Sequence, residues 1–438
     1  MHLPQTKQPL TVFWFRRDLR LSDNHGLYQA LKRPGAVLPV FIFDRNILDK
    51  LDNPKDKRVH FIHKTLEQLQ TRIQEHGSSI YILHATPLQA FETICEQFTV
   101  AEVMTNHDYE PYAQERDEAV KNFLLQKNIG FTTFKDQVLF EKHEIVKANG
   151  TPYTVFTPYA TAWKKKYNSQ PINAFPSEQH LSHLVKTTPF PFPSLTEIGF
   201  SKTNLIISPA SVRQELIRNY HLTRNLPAVE GTSRLSVHLR FGTLSVRHLA
   251  AMASRLNEQW LNELIWREFF MMILFHFPHV VHQSFKKKYD NIRWRNNEEE
   301  FALWCRGETG YPIVDAGMRQ LNETGWMHNR VRMITASFLT RHLLIDWRWG
   351  EAYFAEKLLD YELAVNNGNW QWAAGCGCDA APYFRIFNPT TQTQKFDPEL
   401  RYIKTWINNY TPAYLPPVVE HQATRQRALE VYKKALSQ

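Results

Sequence analysis

LTVFWFRRDLR, residues 10–20, decides how the first part of the chain folds. Leu10–Phe15 is an apolar run of strand length, and the charged turn Arg16-Arg17-Asp18-Leu19-Arg20 follows it at once. Moving outward, Val37–Phe43, Ser79–Leu83, Glu102–Thr105 and Gly130–Phe134 also read as strands. Amphipathic stretches near 26–33, 57–76, 88–97 and 112–127 separate them. Strands alternating with helices predict a parallel sheet with helices on its faces. The first turn lacks a glycine fingerprint, so a dinucleotide is not expected there in the usual doubly wound manner.

From about 135 to 205 the pattern weakens. Pro171, Pro176, Pro189, Pro191 and Pro193, with serines between them, read as a long connector, and Tyr153–Pro158 is embedded in it. Beyond 206 the periodicity is helical, with candidate helices at 209–219, 243–255, 259–276, 313–323, 326–342 and 350–359. The expected organisation is an α/β, Rossmann-like domain (1–134), an interdomain connector (135–205) and an all-α domain (206–438).

The 438 residues carry a formal net charge of +9, compatible with a polyanionic partner without requiring one. Cys95, Cys305, Cys376 and Cys378 form no disulfide framework. Cys376-Gly377-Cys378 has no second pair to complete a tetrahedral metal site, so no metal is expected. MHLPQTKQPL has no apolar leader, and the apolar run Phe269–Phe277 is too short to span a bilayer. A soluble, cytoplasmic protein without a membrane partner is expected. Tryptophan is concentrated: of twelve, nine lie between Trp260 and Trp372.

Several segments are more specific than periodicity. They are Ala228-Val-Glu-Gly-Thr-Ser-Arg-Leu-Ser236, Trp260-Leu-Asn-Glu-Leu-Ile-Trp-Arg-Glu-Phe269, Thr309-Gly-Tyr-Pro-Ile-Val-Asp315, Gly325-Trp-Met-His-Asn-Arg330, Asn366-Asn-Gly-Asn-Trp-Gln-Trp372 and Arg385-Ile-Phe-Asn-Pro389. With Phe13–Asn24 they form an ordered set that resembles class I cyclobutane pyrimidine dimer photolyases of the photolyase–cryptochrome family. The resemblance covers nearly the whole chain and is weakest in the connector and the last 25 residues. It implies a helical domain holding FAD in a folded form, reduced and anionic when active. It also implies a DNA substrate containing cyclobutane pyrimidine dimers. Repair would be a redox-neutral electron cycle driven by blue light, and the enzyme would be a carbon–carbon lyase working as a monomer.

Residue by residue, Tyr220, Thr232, Ser233, Arg234, Leu235, Ser236, Trp260 and Arg267 match cofactor contacts. The hydroxyls, amides and cation of 232–236 beside a helix start suit a pyrophosphate, although Ser and Thr also cap helices routinely. Asn366 matches the asparagine facing flavin N5, and Arg332 and Asp360 match a charge pair beside the ring. In Asp360-Tyr361-Glu362 the glutamate replaces a more common aspartate, which puts its contact with the flavin in doubt. Trp266 and Trp372 match the aromatic walls of the lesion pocket, Met333 an adaptable apolar surface, and Glu263 and Asn329 its polar anchors. Arg224, Arg330, Arg385, Gln392 and Lys395, together with Glu263, Trp266, Arg267, Asn329 and Trp372, form the implied DNA-contacting set. Lys286-Lys287-Lys288 joins it on charge alone. Trp370, Trp347 and Trp294 match an electron path from flavin to surface.

Two related readings compete. A light-signalling cryptochrome shares the fold, but here the pocket set is retained and no long tail follows the domain. A (6-4) photoproduct photolyase carries a histidine pair where this chain has Trp326-Met327-His328-Asn329. A passive flavin- or DNA-binding protein is the third alternative. The antenna chromophore (folate, deazaflavin, a second flavin or none) stays open, because Tyr109-Glu110-Pro111-Tyr112-Ala113 departs from the folate type.

Overall fold

The computed structural model describes residues 9–437. Residues 1–8, most of the stretch read above as lacking an apolar leader, lie outside them. Strands β1 (Leu10–Phe15), β2 (Val37–Asp44), β3 (Tyr81–Ala85), β4 (Val100–Asn106) and β5 (Gly130–Phe134) form one parallel sheet in the order β3-β2-β1-β4-β5. Trp14 stands opposite Val40 on one side and Thr105 on the other. Every residue of β1 and β2 is buried, as expected of central strands covered on both faces. Helices α1 (His25–Leu31), α2 (Lys57–Gln74), α3 (Pro87–Gln97) and α4 (Pro111–Gln126) connect the strands. Trp14, Val40, Phe91, Val103 and Leu124 share their core. The α/β expectation is borne out, with element ends displaced by a few residues.

By contacts the chain sorts into two compact units. The first takes residues through Glu141, Tyr167–Ala210 and Leu235–Met252. The second takes Lys142–Lys166, Ser211–Arg234 and Ala253 onward. The stretch read as a connector therefore contributes to both, and it contains a helix, α5 (Phe156–Ser169). Pro158 sits in the first turn of α5, where its missing N–H costs no intrahelical bond.

The second unit is helical, as expected. Five of its helices position the candidate site: α6 (Glu258–His276), α7 (Asn329–Ser337), α8 (Trp347–Lys357), α9 (Leu363–Ala374) and α10 (Pro389–Phe396). A sixth, α11 (His421–Leu436), closes the chain. Asn257 caps α6 by accepting from the Gln259 and Trp260 N–H groups. His328 caps α7 through Nδ1, which accepts from the Arg330 N–H at 3.1 Å. The single helix expected over 326–342 is therefore shorter and passes into a π-helical turn at Phe338–His342. Helix α9 packs against α6, α7 and α8. Two glycines make this packing possible. A Cβ at Gly368 would lie 2.1 Å from the Phe270 ring, and one at Gly350 would lie 2.2 Å from Trp370. Trp304, Met318, Val331, Leu339, Trp347 and Trp370 form the core here. Among the described residues no helix is long and apolar enough to cross a membrane, and no cluster of His, Cys, Asp or Glu could hold a metal ion.

Candidate active site

Three of the separated sequence segments meet where α9 packs against α6 and α7. On α6, Glu263 faces Arg224, with Nη1 2.8 Å from Oε1, and hydrogen-bonds the Tyr220 hydroxyl. Burial pushes the Glu263 carboxyl above the ordinary range, against the pull of Arg224. Burial, reinforced by Glu263, also pushes the Tyr220 phenol up. One helical turn on, Arg267 is buried and pairs with Glu362 at 3.1 Å. The substitution that cast doubt on Glu362 thus has a partner: the longer carboxylate reaches a guanidinium.

The pair expected from Arg332 and Asp360 forms at 2.9 Å, and Arg332 Nε donates to the Met327 carbonyl at 2.8 Å. Asn366 is buried in α9. Its amide nitrogen donates to Glu351 Oε1 at 2.8 Å and to the Glu351 carbonyl at 3.1 Å. That leaves the Asn366 carbonyl oxygen as the free end of the amide. Burial raises the Glu351 carboxyl. Glu351 was not singled out from sequence, since a lone glutamate on a helix carries no signal of its target. Phe156 was missed for the same reason. It stacks on Trp266 at 3.6 Å with the rings 2° from parallel, and Phe270 lies 5.5 Å from Trp266 on a tilt of 29°.

Other candidates lie in varied settings. Trp260 is buried, while Met333 and Trp372 are half-buried. Asn329 is exposed at the start of α7. Thr232 and Ser233 are half-buried, Leu235 is buried and Ser236 starts a short helix. Arg234 adopts a positive φ of 52°, pairs with Glu230 at 2.7 Å and lies 4.6 Å over the Trp326 ring. Arg330 donates to Asn225 Oδ1 at 2.8 Å and sits 4.5 Å over Phe396, with Lys395 5.3 Å from the same ring. Gln392 on α10 has a buried carbonyl oxygen without a partner, and Arg385 is exposed.

The electrostatics of the second unit centre on His328. Its ring is buried, its Nε2 has no partner, and its pKa is lowered to about 4. Burial is the first cause, followed by Arg330, Arg332, Arg234 and Arg224. The four guanidiniums thus act on one buried, neutral imidazole. Three of them are paired with carboxylates, Arg224 with Glu263, Arg234 with Glu230 and Arg332 with Asp360, while Arg330 bonds the neutral Asn225 amide; guanidiniums suit a phosphate-bearing ligand. FAD, with its pyrophosphate, fits these residues.

Trp370 is buried, 4.9 Å edge-to-face from Phe354, and Trp347 is buried at the start of α8. Trp294 is half-buried. Of the three, only Trp294 is partly open to solvent. Cys376 and Cys378 are buried, with burial pushing both thiols up to about 12.

In the first unit, strand order reverses between β1 and β4, the place where doubly wound sheets take ligands beyond their carboxyl ends. Arg16 and Arg116 lie 4.9 and 5.0 Å over the Trp14 ring there, and Arg16 pairs with Asp117 at 2.5 Å. In the segment that departs from the folate type, Glu110 pairs with Arg17 at 3.0 Å and Arg240 at 2.8 Å. Tyr112 donates to Asp44 at 2.5 Å.

Known proteins resemble this chain over nearly its whole length. Residues 260–412 match the family model described as the FAD binding domain of DNA photolyase, and residues 11–178 match the model for DNA photolyase. The chain is 36% identical to the deoxyribodipyrimidine photo-lyase of Synechococcus sp., over 97% of this chain and 96% of that protein. Its structure is similar to a bacterial class III photolyase from Agrobacterium tumefaciens (TM-score 0.87, 31% identity, 99% of each chain). It is also similar to an archaeal photolyase from Sulfolobus tokodaii with two FAD molecules. That match has a TM-score of 0.83 and 33% identity, covering 97% of this chain and 100% of the other.

Proposed function

The chain belongs to the DNA photolyase family, and from this we propose how its own residues perform light-driven repair of cyclobutane pyrimidine dimers. It is an enzyme of the deoxyribodipyrimidine photo-lyase type and binds FAD. When bound and reduced, FAD supplies the excited electron that opens the cyclobutane ring and takes the electron back.

The meeting of α6, α7 and α9, with the Arg267–Glu362 and Arg332–Asp360 pairs and the Asn366 amide held by Glu351, supports the reading. In this reading Arg234, with Thr232, Ser233, Leu235 and Ser236, holds the pyrophosphate, and Tyr220 and Trp260 line the cofactor. Arg267 with Glu362, and Arg332 with Asp360, fix charge beside the ring. Asn366, its amide nitrogen committed to Glu351, offers its carbonyl oxygen to a flavin N–H; Tyr361 completes the lining. A flipped-out dimer enters between Trp266 and Trp372, with Met333 against it. Asn329 anchors the bases, and Glu263, whose carboxyl burial raises, hydrogen-bonds them. Arg224, Arg330, Arg385, Gln392 and Lys395 grip the backbone. Trp370, Trp347 and Trp294 pass electrons inward when the flavin is oxidised. The protein works as a cytoplasmic monomer, and a second chromophore of folate, deazaflavin or flavin type belongs to the N-terminal part.

The deciding assay illuminates reduced protein with a dimer-containing oligonucleotide. Absorbance at the intact thymine band recovers if the reading holds; no recovery leaves only a flavin-binding or signalling role. Chromophore release followed by mass spectrometry identifies any second pigment.

A further inference from the structure

A cleft of about 400 Å³ opens beside Trp294, within the size range of small-molecule sites. Two of its acidic groups are already engaged. Arg348 binds Asp290 at 2.8 Å and Asp346 at 3.1 Å. Asp290 also accepts from the Ser284 N–H, and Asp346 caps α8. The remaining lining presents donors: the exposed ammonium of Lys287 and the exposed amides of Gln283 and Asn291. Lys286, Lys288 and Arg293 are exposed and flank them in sequence. The lysine run noted for its charge thus has a concave surface beside it, with a half-buried indole in the wall.

On its inner side Trp294 meets Tyr432 edge-on at 6.0 Å. Tyr432 is a poor place for an electron hole. Burial pushes its phenol up, and its hydroxyl donates to the Ala374 carbonyl, which is no base for the released proton. The Arg341 guanidinium lies 4.1 Å over its ring, opposing any added positive charge. An oxidised Trp294 is therefore best re-reduced from the cleft.

We propose that this cleft seats a small, planar, anionic one-electron donor against Trp294. The inference rests on reading Trp294 as the outer end of the electron path. One electron passes from the donor to the indole radical cation. The indole returns to its neutral form, the donor becomes its one-electron-oxidised radical, and the donor's hydroxyl proton goes to water. No other bond forms or breaks.

The probe is ascorbate, with uncharged dithiothreitol as control, and the measurement is the initial rate of flavin photoreduction in the FAD-loaded protein. The rate saturates with ascorbate and rises linearly with dithiothreitol. Lys287→Glu raises the half-saturating ascorbate concentration about fivefold, as reversing one nearby charge in a solvated site implies. Dark calorimetry shows ascorbate binding that Lys287→Glu and Asn291→Asp weaken. A rate linear in ascorbate, or unchanged in Lys287→Glu, overturns the proposal. The two failures separate. If Trp294→Phe photoreduces at the wild-type rate, the electron path itself is wrong and the donor role falls with it. If Trp294→Phe is slow but no dark binding exists, only the cleft assignment fails.

Discussion

Glu263 stands between two demands. Burial raises its carboxyl toward the neutral acid, and Arg224 at 2.8 Å pulls it back toward the anion. A DNA phosphate competes with the Glu263 carboxylate for Arg224, and loss of that partner removes the pull that opposes burial, so DNA binding should raise the Glu263 carboxyl further. Replacing Glu263 with Ala is expected to lower the repair quantum yield several-fold while FAD stays bound. Release of flavin on purification would instead mean a structural role. Trp294→Phe is expected to slow photoreduction of oxidised flavin and to spare repair by enzyme reduced beforehand. Equal loss of both would contradict that division of labour.

Elements show where sequence is a good guide. Strands β1 and β2 were legible because a strand buried on both faces reads as a nearly continuous apolar run. Helix α9 was not, because Asn366, Asn367, Gly368 and Asn369 are weak helix formers held there by packing, Gly368 against Phe270 above all. Helix α5 was hidden by the prolines around it. In the site, the Arg332–Asp360 pair could be read from its motif. The Asn366–Glu351 and Arg267–Glu362 partnerships could not, since each joins side chains on different elements at a distance sequence does not encode. Helix α9 ends at Gly375, whose φ is +77°, and a Cβ there would lie 2.6 Å from Arg341 Nη2. Gly375→Ala is expected to destabilise the protein by about 1–2 kcal/mol from the left-handed backbone alone, read as a lower urea midpoint at unchanged slope.

At the scale of the whole molecule, two titrations of buried imidazoles matter. His328 and His342 are buried and titrate at about 4 and about 3, burial being the main cause of each. In the unfolded chain both titrate near 6.5. Their folded values are depressed, so the stability linked to neutral rings is full above about pH 6.5. It is lost as pH falls toward 4 and 3, at up to roughly 1.4 kcal/mol per unit for each ring. His328→Asn keeps a capping oxygen and removes one titration, so the drop in urea midpoint from pH 7 to pH 5 should be shallower than in wild type. Binding to damaged DNA should weaken steeply with salt; a flat response would count against the arginine and lysine grip.

The chain crosses between its two units at 141/142, 166/167, 210/211, 234/235 and 252/253. On a ribosome, the sheet-bearing unit is therefore incomplete until residue 252 has emerged, long after its last strand was made. Its central strands are apolar but for Thr11 and Asp44, so the nascent chain depends on prompt covering of β1 and β2 during that delay. The same interleaving means that no single cut yields two whole units. Gene fragments split near 205 would each carry part of the other's core, and recombining relatives by swapping halves there should give insoluble products unless the exchanged segments travel together.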